Sequence, residues 1–268
     1  MEKQKLYKYT NTVPAVDQAL KILIYLSKTP SPRANLTEIC KNVGIHKSKG
    51  YSILNTLQKY GFVMREESGK HYTLGPGVLS LSKRFLDSMN YNELAAPFLK
   101  KLAEKTKSTA LFGLINGDSI FVVAKVESEE HISVTIRIGH RFNITHGAHG
   151  KAIAAYLPEE RLKWLLAQKK LFFYGDISKF NLNRLEKDLR ECREKGFALD
   201  IGELNPGINV IASPTFNARG EVLGAIFIIG TFSELKIDEY GPLVFENAMA
   251  FSSKLGADVE AIYKRREG

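Results

Sequence analysis

Near its start the chain repeats apolar residues at helical spacing, and after residue 108 it repeats them in strand-length runs. From Pro14, the positions Val16, Leu20, Leu23 and Ile24 predict a short amphipathic helix ending near Pro30 and Pro32. Asn35, with Glu38 three positions on, has the form of a capping box, because each side chain can bond the other residue's orphan amide. A second helix is therefore predicted from about Leu36, cut short by Gly44, and a third restarts at His46 and runs to about Tyr60. Its one face holds Gly50, Ile53, Leu54 and Leu57; the other holds Lys47, Ser48, Lys49, Tyr51, Ser52 and Asn55. A glycine inside a helix costs about 1 kcal/mol against alanine, so Gly50 marks either a close approach to a neighbour or a weak point, and the sequence leaves both open. Phe62-Val63-Met64, the polar turn Arg65 to Lys70 and His71-Tyr72-Thr73-Leu74 read as a two-stranded wing directly after a helix-turn-helix.

Gly75-Pro76-Gly77 then breaks the pattern, and Val78, Leu79, Leu81, Phe85 and Leu86 predict a linker helix at about Val78 to Ser88. Another helix follows from Tyr91 to Lys107, with Leu94, Pro97, Phe98, Leu102 and Ala103 on its apolar side. Strands are predicted at Thr109 to Ile115, Ile120 to Val126 and Ile132 to Ile138, and again at Phe197 to Leu199, Ile208 to Phe216 and Val222 to Gly230. Between them lie a helix from Lys151 to Tyr156 continuing into Glu159 to Gln168, and one from Asn183 to Lys195; a last helix covers Ile237 to Tyr263. Strand runs broken by a few helices make the fold class α+β, a sheet with helices packed on it.

The length of 268 residues exceeds what one core usually spans and favours two domains, set here at residues 1–75 and 91–268 with the linker at 76–90. The net charge of +9 is unevenly placed: residues 1–75 carry 12 Lys+Arg and 5 Asp+Glu, an excess of +7, whereas residues 76–268 carry 26 and 24, an excess of +2. A localised positive excess on a winged helix is what phosphate contacts require. No run is long and apolar enough for a membrane helix, and Met1 to Val13 is polar where a signal peptide needs an apolar centre, so a cytoplasmic protein with no membrane partner is expected. Cys40 and Cys192, far apart on two predicted helices, indicate neither a disulfide framework nor a thiolate metal site.

A helix in the major groove needs basic or hydroxyl side chains near its start, while the preceding helix and the wing hold phosphates. Lys47, Ser48, Lys49, Tyr51, Ser52 and Asn55 meet the first need, and Thr37 and Lys70 the second, so these eight are the candidate DNA-binding residues. In the larger domain no nucleophile elbow, phosphate loop or dinucleotide fingerprint appears, which argues against an enzyme and for no cofactor. His146-Gly147-Ala148-His149-Gly150-Lys151-Ala152 leads small residues and histidines into a helix start, a natural anion site. A solvated helix cap explains the same residues equally well, and a metal held by His146, His149 and His140 lacks a completing cysteine or carboxylate.

Four segments carry a resemblance to the isocitrate lyase regulator (IclR) family of bacterial transcription factors over essentially the whole chain. They are the winged helix with Lys47-Ser48 opening its recognition helix; Tyr72-Thr73-Leu74-Gly75; Gly150-Lys151-Ala152 with Leu157-Pro158-Glu159-Glu160; and Gly196-Phe197-Ala198-Leu199-Asp200 running into Gly207 to Pro214. The resemblance implies a GAF-like mixed α/β effector-binding domain and a homo-oligomer, either a dimer or a dimer of dimers. It further implies double-stranded, near-palindromic operator DNA and a small organic acid that alters operator binding. It puts the effector near Phe142, Ala148, His149, Gly150, Asp200, Ile208, Val210 and Phe227.

The chain also departs from the family. Val210 stands where cysteine is frequent and Phe227 where a small hydroxyl residue is frequent, which implies a more apolar pocket and an effector with an apolar or aromatic body and one carboxylate. Gly50 and Ser52 replace a branched and a basic residue, so no operator sequence carries over. The expected mechanism is ligand-coupled DNA binding, transmitted through the linker helix to the paired winged helices. An enzyme acting in the larger domain and a ligandless architectural DNA binder are the rival classes.

Overall fold

The computed structural model describes residues 12–28, 33–66, 70–81, 91–130 and 133–264. Pro30, Pro32, the wing tip at 67–69, most of the expected linker helix (82–90), Ile132 and residues 265–268 lie outside the described residues; of the linker, 77–81 is helical. The chain divides between Met89 and Asn90 into two compact units.

In the first unit α1 (Pro14–Lys28), α2 (Leu36–Val43) and α3 (Lys47–Lys59) pack around Ile22, Leu26, Ile39 and Leu54. Strands β1 (Ala34–Asn35), β2 (Val63–Arg65) and β3 (His71–Leu74) form an antiparallel sheet in the order β1-β3-β2. The capping box forms: Asn35 Oδ1 accepts from the Glu38 amide at 3.0 Å, and Glu38 Oε2 accepts from the Asn35 amide at 2.8 Å. Gly44 closes α2 in the left-handed region (φ +72°), its amide donating to the Cys40 carbonyl.

Gly50 is a close approach and not a weak point. A Cβ added there would stand 2.3 Å from Cys40 Sγ and 3.4 Å from Ile45 Cδ1, so its absence lets α3 lie directly against α2. Gly75 and Gly77 serve the same purpose: an added Cβ would meet Gly61 O at 2.2 Å and 2.9 Å respectively, and both glycine amides donate back to carbonyls of Phe62 and Gly61. The Gly-Pro-Gly break is thus folded against the end of α3.

The inward face of α1 differs from the expected one. Ile22 and Leu26 are its buried residues, with Ala19 and Leu23 beside them, while Val16, Leu20 and Ile24 are 55%, 54% and 47% exposed. Two apolar rows run along this helix, and periodicity alone does not choose which of them meets α2 and α3.

The second unit is one six-stranded sheet in the order β6-β5-β4-β9-β8-β7, antiparallel throughout. Its strands are β4 (Thr109–Asn116), β5 (Ser119–Val126), β6 (Arg141–Asn143), β7 (Ala198–Ile201), β8 (Asn209–Phe216) and β9 (Val222–Gly230). Side chains alternate between faces, and both faces are apolar. Helices α4 (Tyr91–Thr106) and α8 (Ile237–Lys254) cover Phe112, Ile226 and Ile228 on one side. On the other, α5 (Gly147–Ala154), with α7 (Leu182–Lys195) beside it, covers Leu111, Ala212 and Phe227.

Several expected elements shift. In the described part of the strand expected from Ile132 to Ile138, residues 133–137 carry no regular structure, although Val134 and Ile136 pack on the core and the Val134 carbonyl accepts from Thr109 Oγ1 at 2.7 Å. Extended packing produced the alternation without a ladder. The chain turns at Gly139 (φ +82°), meets β5 through the Gly139 amide on the Val122 carbonyl at 2.7 Å and the Val122 amide on the His140 carbonyl at 3.0 Å, and continues as the short β6. The helix expected from Lys151 to Gln168 is two, α5 and α6 (Glu159–Leu166), separated where Pro158 stands as the N-cap of α6. The last helix also divides, at Gly256 (φ +90°), into α8 and α9 (Val259–Lys264). In α4 Pro97 is exposed and Leu99 points inward instead.

Candidate DNA interface and ligand pocket

Burial of Gly50, Ile53, Leu54 and Leu57 fixes the rotation of α3 and leaves Lys47, Ser48, Lys49, Tyr51, Ser52 and Asn55 all exposed on its free side. Thr37 on α2 and Lys70 beside β3 are exposed as well. Ser52 already donates its hydroxyl hydrogen to the Ser48 carbonyl at 3.1 Å, so toward a partner it offers its lone pairs. His46, the N-cap of α3, makes no side-chain cap bond, which leaves the first-turn amides of a thirteen-residue helix open to a phosphate. Sequence reading placed His46 as the helix start but did not see this opening.

In the second unit, pairing aligns Ala198, Ala212, Phe227 and Leu111 in one cross-strand row and Asp200, Val210 and Ile229 in the next. Helix α5 lies over them. Gly147 has φ +53°, and a Cβ there would stand 3.1 Å from Leu204 Cδ2 and 3.2 Å from Asp200 Oδ2, so the helix begins in contact with the β7–β8 loop. Gly150 is fixed by packing, since a Cβ would meet the Thr145 carbonyl carbon at 2.5 Å.

Rings form a ladder beside this helix start. Phe142 stands 4.7 Å from His149 and 4.8 Å from His146, the two imidazoles are stacked at 5.3 Å, and His149 stacks on Phe227 at 4.9 Å. Both ring nitrogens of His149 and Nδ1 of His146 are buried without a hydrogen-bond partner. Burial, reinforced by neighbouring His140, pushes His146 down to about 4, and burial with His146 and His140 holds His149 well below the usual imidazole range. Both rings are therefore neutral at pH 7. The structure thus brings Phe142, His149 and Phe227 into contact, with Ala148, Ile208 and Val210 in the same apolar cluster.

Asp200, 2% exposed, accepts from the amides of Glu203 and Leu204 at 3.0 and 3.3 Å and so ties down the loop at the helix start. Burial raises its carboxyl, against the pull of those amides and Lys151. Beneath it lies a charge network that sequence spacing did not reveal. Lys151, 3% exposed, holds Asp188 at 3.1 Å and Glu203 at 3.9 Å and stands 4.9 Å from the Tyr174 ring centre. Tyr174 donates to the same Asp188 oxygen at 3.0 Å, and Arg184 bonds Glu203 at 2.8 Å. Among the described residues no group of three or more His, Cys, Asp or Glu is placed to hold a metal ion.

Residues 15–67 match the "IclR helix-turn-helix domain", and residues 83–254 match "Bacterial transcriptional regulator IclR C-terminal". Among curated relatives, the HTH-type transcriptional regulator BhcR of Paracoccus denitrificans is 29% identical over 90% of this chain and 86% of its own length. The HTH-type transcriptional repressor AllR of Escherichia coli K12 is 27% identical over 90% of each. The crystal structure of the IclR transcriptional regulator from Alicyclobacillus acidocaldarius superposes with a TM-score of 0.79 at 26% identity, covering 92% of this chain and all of that one. The chain therefore belongs to the IclR family of DNA-binding transcriptional regulators, with a C-terminal effector-binding domain.

Proposed function

We propose that α3 enters the major groove of a near-palindromic operator as a pair contributed by two copies of the chain, and that an organic acid bound beside α5 alters the affinity. The exposed face of α3 supports the first part. Lys47, Ser48, Lys49, Tyr51, Ser52 and Asn55 share it, with Thr37 and Lys70 as phosphate contacts. A homo-oligomer is supported by the apolar row Val16, Leu20 and Ile24 along α1, with Val13 just before it, which is exposed among the described residues and is the kind of surface a second copy covers. The protein acts by binding rather than catalysis and works in the cytoplasm; no helix among the described residues is long and apolar enough to cross a membrane.

Lys49→Ala and Lys70→Ala test the DNA face on a mixed-sequence duplex by fluorescence anisotropy across a salt series. Each loses affinity, and each lowers the slope of log K against log salt by about 0.9. Unchanged slopes in both variants overturn the placement.

The observation that carries the effector reading is the stack of His149 on Phe227 at a helix start whose N-cap, His146, makes no side-chain cap bond, flanked by Phe142, Ala148, Gly150, Asp200, Ile208 and Val210. An IclR homologue from Microbacterium hydrocarbonoxydans, which shares the fold (TM-score 0.74, 15% identity), was crystallised as a complex with 4-hydroxybenzoate. An aromatic body against Phe142 and Phe227, with a carboxylate toward α5, fits the chemistry of this site. Thermal unfolding in the presence of an aromatic monocarboxylate is expected to show about 3 kcal/mol of stabilisation at a hundredfold excess over Kd. Stabilisation by glyoxylate or pyruvate alone overturns the aromatic assignment. The effect on DNA must be reciprocal, so operator DNA changes acid affinity by the same factor.

A further inference from the structure

We propose that His149, with His146 beside it, is the group that recognises the effector's carboxylate, and that it takes up a proton as the acid binds. This rests on the effector reading above and assigns the group that recognises the acid.

The stack needs only a flat ring between Phe142 and Phe227, and phenylalanine would supply one without burying polar atoms. His149 instead carries two nitrogens, in a side chain 4% exposed, with no hydrogen-bond partner for either. Neutral imidazole offers one donor and one acceptor, whereas imidazolium offers two donors, the set that carboxylate oxygens accept.

The surrounding charges leave this role to the imidazoles. Lys151, next along α5, is held by Asp188 and Glu203. Arg141 on β6 donates through Nε to Ser119 Oγ at 2.7 Å. From β9 the neighbour is the uncharged Phe227, and from β7 it is Asp200, beside Gly147. A carboxylate entering here thus meets the Ala148 and His149 amides of α5, an acidic neighbour and three imidazoles; burial first, and His146 and His140 after it, hold His149 well below the usual imidazole range. An anion against His149 reverses that balance.

The test uses the full chain, with benzoate and 4-hydroxybenzoate as probes. Histidine ring resonances are followed by NMR from about pH 8 to about pH 5.5, a range in which the probes stay ionised, and Kd is measured in parallel by titration calorimetry. In the empty protein His149 does not titrate in this range; with saturating acid it does, and Kd tightens by up to about tenfold per pH unit where the bound ring titrates and the free one does not. His149→Phe keeps the stack and abolishes the pH dependence. Acid binding with no pH dependence, or with His149 neutral throughout, overturns the proton linkage and leaves the effector site standing. If neither acid binds at any pH in the range, the aromatic-acid reading and this inference fall together. Should His149→Phe not fold, the ring titration of the unaltered protein decides the matter alone.

Discussion

Lys151→Met is expected to destabilise the second unit by about 3–5 kcal/mol, the cost of removing one partner from a buried ion pair. The lysine is 3% exposed and lies at the centre of Asp188, Glu203 and the Tyr174 ring. Removing its charge leaves Asp188 supported by the Tyr174 hydroxyl and Glu203 by Arg184, while Asp200 loses a favourable charge that now works against burial. Methionine keeps most of the stem volume, so the loss reports charge rather than a cavity. The chain's one tryptophan, Trp164 on α6, lies in this unit and gives the readout in urea and thermal unfolding. At about 2–4 °C per kcal/mol for a unit of this size, the midpoint falls by roughly 10 °C. Adding Asp188→Asn to Lys151→Met recovers part of the loss, because the uncompensated carboxylate is gone. A Lys151→Met midpoint within about 2 °C of the parent shows that the network contributes little.

The elements that announced themselves in the sequence are those whose signals are local. A capping box needs residues three apart, and Asn35 with Glu38 formed as drawn; the apolar face of α3 needs only its own period. What stayed hidden depends on other parts of the chain. Both rows of α1 are apolar, and the choice of Ile22 and Leu26 is made by α2 and α3. Val134 and Ile136 alternate as a strand does, but β5 takes β6 as its edge partner instead. His146 to Ala152 was legible as a helix start, though the Gly147 amide is taken by the Phe172 carbonyl at 3.3 Å, and the expectation for Asp200, Val210 and Phe227 came from the family resemblance. The pairing of Lys151 with Asp188 joins residues thirty-seven apart on two helices, and no spacing rule reaches that far. Gly150 was read as a ligand contact, yet the 2.5 Å approach of the Thr145 carbonyl carbon gives it a packing reason of its own.

Acidification supplies the other large effect. His146 titrates at about 4 in the folded chain, against about 6.5 when unfolded, because burial and His140 disfavour its charged form. Above about pH 6.5 the ring is neutral in both states and contributes nothing to stability. As pH falls below that value the unfolded chain takes up a proton that the folded chain refuses, so stability is lost until the folded ring also protonates near 4. The difference is about 3 kcal/mol from His146 alone, and His149, depressed in the same direction, adds to it. Asp200 acts with the opposite sign: its folded carboxyl protonates more readily than the unfolded one, which restores some stability as pH falls through its raised value. Urea midpoints, followed through Trp164 at about pH 7, 5.5 and 4.5, should therefore fall progressively for the unliganded protein. His146→Gln should flatten much of that fall, which separates the histidine's contribution from that of the rest of the chain. A bound carboxylate should flatten it too, since an anion that stabilises a charged ring in the folded state removes the reason the folded chain refused the proton. A midpoint constant from about pH 7 to 4.5 means that water or a counter-ion reaches these rings, and the neutral state assigned to both imidazoles then fails.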